Sequence, residues 1–184
     1  MKPSFLLVGL GNVGKQYERT RHNIGFFAVD RAAEELKAGT WKDHPRFQSL
    51  IAEAEIDGVS IFLVKPTTLM NRSGEAIRKL TEFYKLNPAK DILVCCDDID
   101  LPLGTDRLRM NGGPGTHNGL KSIVDCVGED FPRFRIGLGS QPEGMDLAAW
   151  VLSVMSKEER VALEPSLKKT LDSVREVLRA GSTS

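Results

Sequence analysis

The 184-residue chain is poor in cysteine: Cys95, Cys96 and Cys126 are the only three. The number is odd and two are adjacent, so no disulfide framework can be read and a reduced compartment is expected. No apolar run approaches the roughly 20 residues needed to span a bilayer. No basic leader with an apolar core and a cleavage site precedes the first strand-like run. The expected location is therefore cytoplasmic, without a membrane partner. Net charge is absent too, with 25 basic against 25 acidic residues, so any surface for an anionic polymer must be local. Histidine is scarce, three in all, which keeps the set of candidate imidazole bases small. No internal repeat, low-complexity tract or linker-like stretch divides the chain.

What is present is ordinary globular composition, 41% hydrophobic and 27% charged, which argues against disorder. The length predicts one domain over residues 1–184. Phe5–Gly9 reads as a short strand buried on both faces. Asn23 is placed to cap a helix through Leu36. Phe47–Ile56 and Val59–Val64 read as strands joined by Asp57-Gly58, a strong hairpin signal. Gly74–Leu86 reads as a helix stopped by Asn87-Pro88. Strands are expected at Ile92–Cys96, Thr105–Met110 and Phe134–Leu138, and a helix at His117–Val127. A short helical stretch is expected around Ala148–Leu152. Lys157–Ala180 reads as a longer helix that Pro165 splits or kinks. Strands alternating with helices predict an α/β fold: a mixed, mostly parallel twisted sheet with helices on both faces. In such sheets the functional loops lie at the carboxyl ends of the strands.

Gly9-Leu10-Gly11-Asn12-Val13-Gly14 matches a dinucleotide-binding fingerprint, G-x-G-x-x-G after a first strand. That function requires a helix opening inside the motif, with its amides facing a pyrophosphate. Here the motif runs into Lys15–Arg21, which has almost no apolar stripe. The acid that would bind a ribose should end a second strand roughly 20 residues on. The available acids, Asp30, Glu34 and Glu35, fall inside the predicted helix. No nucleotide cofactor is expected, and an oxidoreductase is the weakest of three functional readings.

A stronger pattern is a set of polar side chains in four separate loops. Asn12 is in the first, followed by Thr20-Arg21-His22-Asn23. Asn71 lies in Thr67–Gly74. Asp97, Asp98 and Asp100 follow a buried strand. Asn118 lies in Gly112–Gly119. The blocks GLGNVGKQYERTRHNIG, KPTTLMNRSGEA, CDDIDLPLG, GGPGTHNGLKS and FPRFRIGLG, in that order, resemble the bacterial-type peptidyl-tRNA hydrolases over nearly the whole chain. The resemblance implies an esterase that cleaves the bond between a peptide and the 3′ end of tRNA. It implies no cofactor and no metal, a monomer, and a tRNA partner held by its acceptor stem and 3′ end.

The same resemblance assigns His22 as the general base that activates water, and Asp97 as the carboxylate that fixes its tautomer. It assigns Asn12 to distinguishing a blocked peptidyl group from a free amine. Asn71 and Asn118 would hold the substrate near His22 and the terminal adenosine. Tyr17, Leu69 and Met70 match contacts to the substrate end, and Arg109 and Arg135 a phosphate clamp. Arg107, Arg109, Lys121, Arg133 and Arg135 together form a local basic stretch suited to phosphates. A metal among the acids is not expected, because His22 is distant in sequence and no compact ligand set accompanies them. Asp100 is expected to order the loop before Pro102, and His117 either caps its helix or lines the site. The chain departs from the family at Leu69, where a ring is common, at Cys96, where histidine is common, and at Asn111, Pro114 and Thr116 in the glycine loop. Its last helix is expected to stop short of the family's usual basic turn. The rival to an enzyme is a non-catalytic RNA-binding module on the same scaffold.

Overall fold

The computed structural model describes residues 2–183. Its strands are β1 (Phe5–Gly9), β2 (Lys42–His44), β3 (Ser49–Ile56), β4 (Val59–Pro66), β5 (Ile92–Asp98), β6 (Asp106–Arg109) and β7 (Arg133–Gly137). Its helices are α1 (Ile24–Glu35), α2 (Ser73–Tyr84), α3 (Pro88–Asp91), α4 (Asn118–Val127), α5 (Leu147–Val151), α6 (Lys157–Lys168) and α7 (Thr170–Ser182). The strands form one sheet in the order β2-β3-β4-β1-β5-β7-β6. Pairing is parallel from β4 through β1 and β5 to β7, and antiparallel at both edges. The expected mixed, mostly parallel sheet is thus present.

The central strands are apolar throughout because each faces a helical layer on both sides. Along β1, Phe5 and Leu7 pack with Ala28 and Val29 of α1 and with Leu163, Val174 and Val177 of α6 and α7. Leu6 and Val8 point the other way, toward Ile77 and Leu80 of α2 and Leu120 and Ile123 of α4. Period-two alternation sends successive side chains to opposite faces, so a strand between two layers needs apolar residues at every position. Burying one such Leu or Phe contributes about 1.5–3 kcal/mol.

The glycines of the first loop serve this packing. A Cβ on Gly9 would overlap the carbonyl of Gly25 in α1, and one on Gly11 would enter the Phe26 ring. The motif lets the start of α1 lie directly against the end of β1. Its last residues lead into a 3-10 turn, Lys15–Tyr17, and not into a long helix.

Four local expectations need correction. The edge strand β2 was not anticipated, because Lys42-Asp43-His44 has no apolar alternation and is held only by pairing with β3. Asn87-Pro88 does more than terminate α2: Asn87 accepts from the Ala89 amide and opens the single turn α3. The C-terminal helix divides at Lys169, while Pro165 sits inside α6. Proline removes one bond to residue i−4, here Val161, which is exposed and so accessible to water. Finally, the Asn23 side chain does not cap α1; it is engaged elsewhere.

Candidate active site

The carboxyl ends of β1, β4 and β5 and the start of α4 meet around one cavity of about 610 Å³. Of the ten side chains nominated from sequence, nine line it: Asn12, Tyr17, His22, Leu69, Met70, Asn71, Asp97, Asn118 and Arg135. Arg109 does not; it stands exposed on the edge strand β6.

The first loop is locked from two sides. The Asn23 amide closes a two-way bond with Asn12, accepting from its backbone N–H at 2.8 Å and donating to its carbonyl at 3.0 Å. The Asn12 side-chain oxygen accepts from the Met70 N–H at 2.7 Å. An Asn amide has one acceptor and one donor end. With the acceptor spent on Met70, the donor end is what Asn12 can offer the cavity. Met70 is buried in the α2–α4 core layer as well as lining the cavity, so it fixes the β4 loop against the β1 loop. The residue before it, Leu69, has φ 67° and ψ 159°, a region open essentially to glycine alone. The residue is nonetheless 46% exposed at the cavity mouth.

Asp97, at the end of β5, is the electrostatic centre. Its side chain is 2% exposed and lies between two imidazoles. His22 Nδ1 is 2.9 Å from Oδ2, and His117 Nε2 is 2.9 Å from Oδ1. The two rings are 4.8 Å apart between centroids. Burial alone would raise the Asp97 carboxyl, but His117 and then His22 hold it well below the usual carboxylate range. An ionised carboxylate only accepts, so both rings must donate to it.

That requirement fixes two tautomers. His117 Nδ1 accepts from the Gly119 and Leu120 amides at the start of α4, at 3.1 and 3.2 Å. Its proton is therefore on Nε2, the nitrogen that meets Asp97. His22 donates through Nδ1, so its Nε2 keeps a lone pair. Burial pulls the His22 imidazole down, but the Asp97 charge and hydrogen bond outweigh it, and the net displacement is upward from 6.5.

His117 was read from sequence as a helix cap or a lining residue, without a partner in the site. Its two candidate roles, capping α4 and lining the site, are both realised. The clue was present: a histidine one residue before a helix, in a loop already nominated. What was missing was the register that sets its other nitrogen against Asp97.

His22, Asp97 and His117 also have the composition of a metal triad, with ligand atoms within 4.8 Å of one another. The distance between them in sequence is therefore no argument against a metal. The hydrogen bonds are. To present a lone pair at Nε2, His117 would have to carry its proton on Nδ1, facing two backbone N–H donors. The geometry suits a hydrogen-bonded relay.

Two further corrections concern charge. Arg133, counted in the basic stretch, is fully buried; it donates to the carbonyls of Gly113, Glu129 and Phe131 and braces the glycine loop. Arg135 faces the cavity but is partly engaged, 3.2 Å from the Gly113 carbonyl and 3.5 Å from Asp98. The turn before Pro102 is ordered by Asp98, which accepts from the Asp100 N–H at 2.9 Å, and not by the Asp100 side chain.

Known proteins resemble this chain in sequence and in fold. Residues 6–184 match the family model described as peptidyl-tRNA hydrolase. The chain is 47% identical over 180 residues to the peptidyl-tRNA hydrolase of Chloroflexus aggregans, covering 97% of this chain and 95% of that one. It is 48% identical over 170 residues to that of Desulfitobacterium hafniense, covering 92% and 90%. The crystal structure of peptidyl-tRNA hydrolase from Acinetobacter baumannii superposes with a TM-score of 0.89 at 34% identity, covering 100% of this chain and 92% of that one. No described helix is long and apolar enough to cross a membrane. With fold, length and loop sequences matched together, the chain belongs to the peptidyl-tRNA hydrolase family.

Proposed function

We propose that this chain hydrolyses the ester between a peptide and the 3′ end of tRNA, with His22 as general base. The observation that carries the proposal is the polarity of the His22–Asp97 bond, which leaves His22 Nε2 with a free lone pair at the cavity. Water beside Nε2 attacks the ester carbonyl and gives its proton to the imidazole. The imidazolium so formed is stabilised by Asp97. It returns the proton to the 3′ oxygen as the tetrahedral intermediate collapses to free tRNA and peptide. A positioned base of this kind contributes about 10²–10⁴-fold.

Asp97 acts through His22, and His117 acts through Asp97; both are positioning residues. The Asn12 amide donor, with its oxygen held by Met70, is set to bond the carbonyl of a blocked amino group. A site built around such a bond rejects a free amine, because its own polar group would be left unpaired. Asn71 and Asn118, both exposed at the cavity rim, would meet the substrate's backbone and terminal adenosine. Tyr17 and Leu69 supply apolar contact. Arg135 and, further out, Arg109 would meet phosphates of the acceptor stem, with a single chain as the acting unit in the cytoplasm.

The test is hydrolysis of an N-acetylated aminoacyl-tRNA by wild type and His22→Ala without added metal or nucleotide. Turnover by wild type and a loss of at least about 10²-fold in the variant is expected. Undiminished turnover in the variant would remove His22 from the chemistry. Tight RNA binding without wild-type turnover would establish the non-catalytic module instead.

A further inference from the structure

Arg21 stands next to His22 but does not line the cavity. It is 6% exposed, and both terminal nitrogens of its guanidinium are engaged by one distant segment. Nη1 donates to Ser153 Oγ at 2.7 Å and to the Val154 carbonyl at 3.1 Å. Nη2 meets Glu159 Oε1 at 2.5 Å. The planar group lies over Trp150, 3.7 Å from the ring centroid. Backbone bonds repeat the connection: the Arg21 N–H donates to Ser153 at 3.1 Å, and the Met155 N–H to Arg19 at 3.0 Å.

All of these partners lie in residues 150–159, the segment that begins in α5. α5 and the residue after it supply Leu147, Val151 and Leu152 to the cavity, an apolar group separate in sequence from Leu69, Met70 and Ile99, which also line it. At its other side Trp150 Nε1 donates to the Gly139 carbonyl at 3.1 Å. A buried ion pair adds little stability over an apolar replacement, since desolvation offsets the attraction. What a guanidinium bonded through both terminal nitrogens and a stacked ring do provide is fixed geometry.

Resting on the hydrolase reading above, we propose that Arg21 is a positioning residue for the acyl half of the substrate. It clamps α5 to the turn that carries His22. It thereby sets an apolar wall, Leu147, Val151 and Leu152, that receives the side chain of the esterified amino acid. His22 itself is held by Asp97, so loss of the clamp leaves the base in place and moves the wall.

The experiment uses one tRNA charged with N-acetylglycine or N-acetylleucine, and the variants Arg21→Lys and Trp150→Leu. Lysine keeps the charge for Glu159 but loses the fork and the stack. Trp150→Leu leaves the Arg21 hydrogen bonds and removes their apolar cover together with the Nε1 bond to Gly139, which guards against a variant that fails to fold. An apolar contact of this size discriminates by about 10-fold or more. We expect KM for the leucyl substrate to rise about tenfold in each variant and the glycyl KM to change little. The kcat values and the acid inflection of the pH profile should stay put, and the double variant should be no worse than either single one. Equal losses on both substrates, a lowered kcat with a displaced inflection, or additive single effects would each overturn the proposal. Absence of wild-type turnover on both substrates would instead refute the parent reading.

Discussion

Replacing Asp97 by asparagine keeps the shape of the relay and reverses one bond. The carboxylate accepts from two rings, but an amide has one oxygen and one NH₂. His117 cannot change its role without losing the two amides its Nδ1 caps. The asparagine oxygen should therefore turn to His117, and its NH₂ to His22 Nδ1. His22 must then accept at Nδ1 and carry its proton on Nε2, the tautomer that cannot take a proton from water. The full base contribution is forfeited, so kcat should fall about 10²–10⁴-fold. The pH profile should move as well. In the wild type burial lowers the His22 value, but the Asp97 charge and hydrogen bond together outweigh it and set the value above 6.5, so activity falls as pH drops through that region. Without the charge, burial is what remains, and the residual activity should titrate below 6.5. The assay is kcat/KM on an N-acetylated aminoacyl-tRNA across the pH range, with a melting curve to confirm folding. A variant within tenfold of wild type, or one whose inflection does not move, would refute the reasoning.

The remaining predictions concern stability, strain and phosphate contact. Asp97 is held well below its unfolded value of 3.8, so its contribution to stability is present above that value and is lost as pH falls from there toward the folded value; urea melts from pH 5 downward should show the loss set in, and Asp97→Asn should flatten it. His22 is displaced upward, so its smaller contribution is full below 6.5 and fades as pH rises through its folded value. Leu69→Gly should relieve the backbone strain at φ 67° and raise stability by about 1 kcal/mol, net of glycine's extra chain entropy. The same change should raise KM, because the exposed side chain at the cavity mouth is lost. Arg109→Ala should reduce the salt dependence of kcat/KM by about one phosphate contact without lowering the melting temperature. Arg135→Ala should reduce the salt dependence and also lower the melting temperature, since it frees the Gly113 carbonyl and Asp98.

How far the sequence could be read followed from the range of the interactions. The central strands β1 and β5 were legible because burial on two faces leaves a continuous apolar run. The hairpin at Asp57-Gly58 was legible because its turn chemistry is local. β2 was not, since its three polar residues become a strand only by meeting β3. Asn23 looked like a cap because it precedes a helix, but its side chain holds Asn12 across the loop. His22 and Asp97 came from family resemblance, and the cavity that gathers nine of the nominated side chains gives them a common place. His117 and Arg21 were under-read for one reason. Their partners lie 20 residues away at Asp97 and 132 or more away at Ser153 and beyond, where no local pattern reaches. Arg133 was misplaced because a basic residue in a basic stretch gives no sign, in sequence alone, of pointing inward.

Asp97 imposes opposite roles on the nitrogens of two histidines. Imidazole ¹⁵N chemical shifts of the wild-type protein at a pH where both rings are neutral measure this directly. His22 should be protonated at Nδ1 with Nε2 free, and His117 protonated at Nε2 with Nδ1 accepting. His22 found protonated at Nε2 would contradict the account, because the base would then have no lone pair to offer the attacking water.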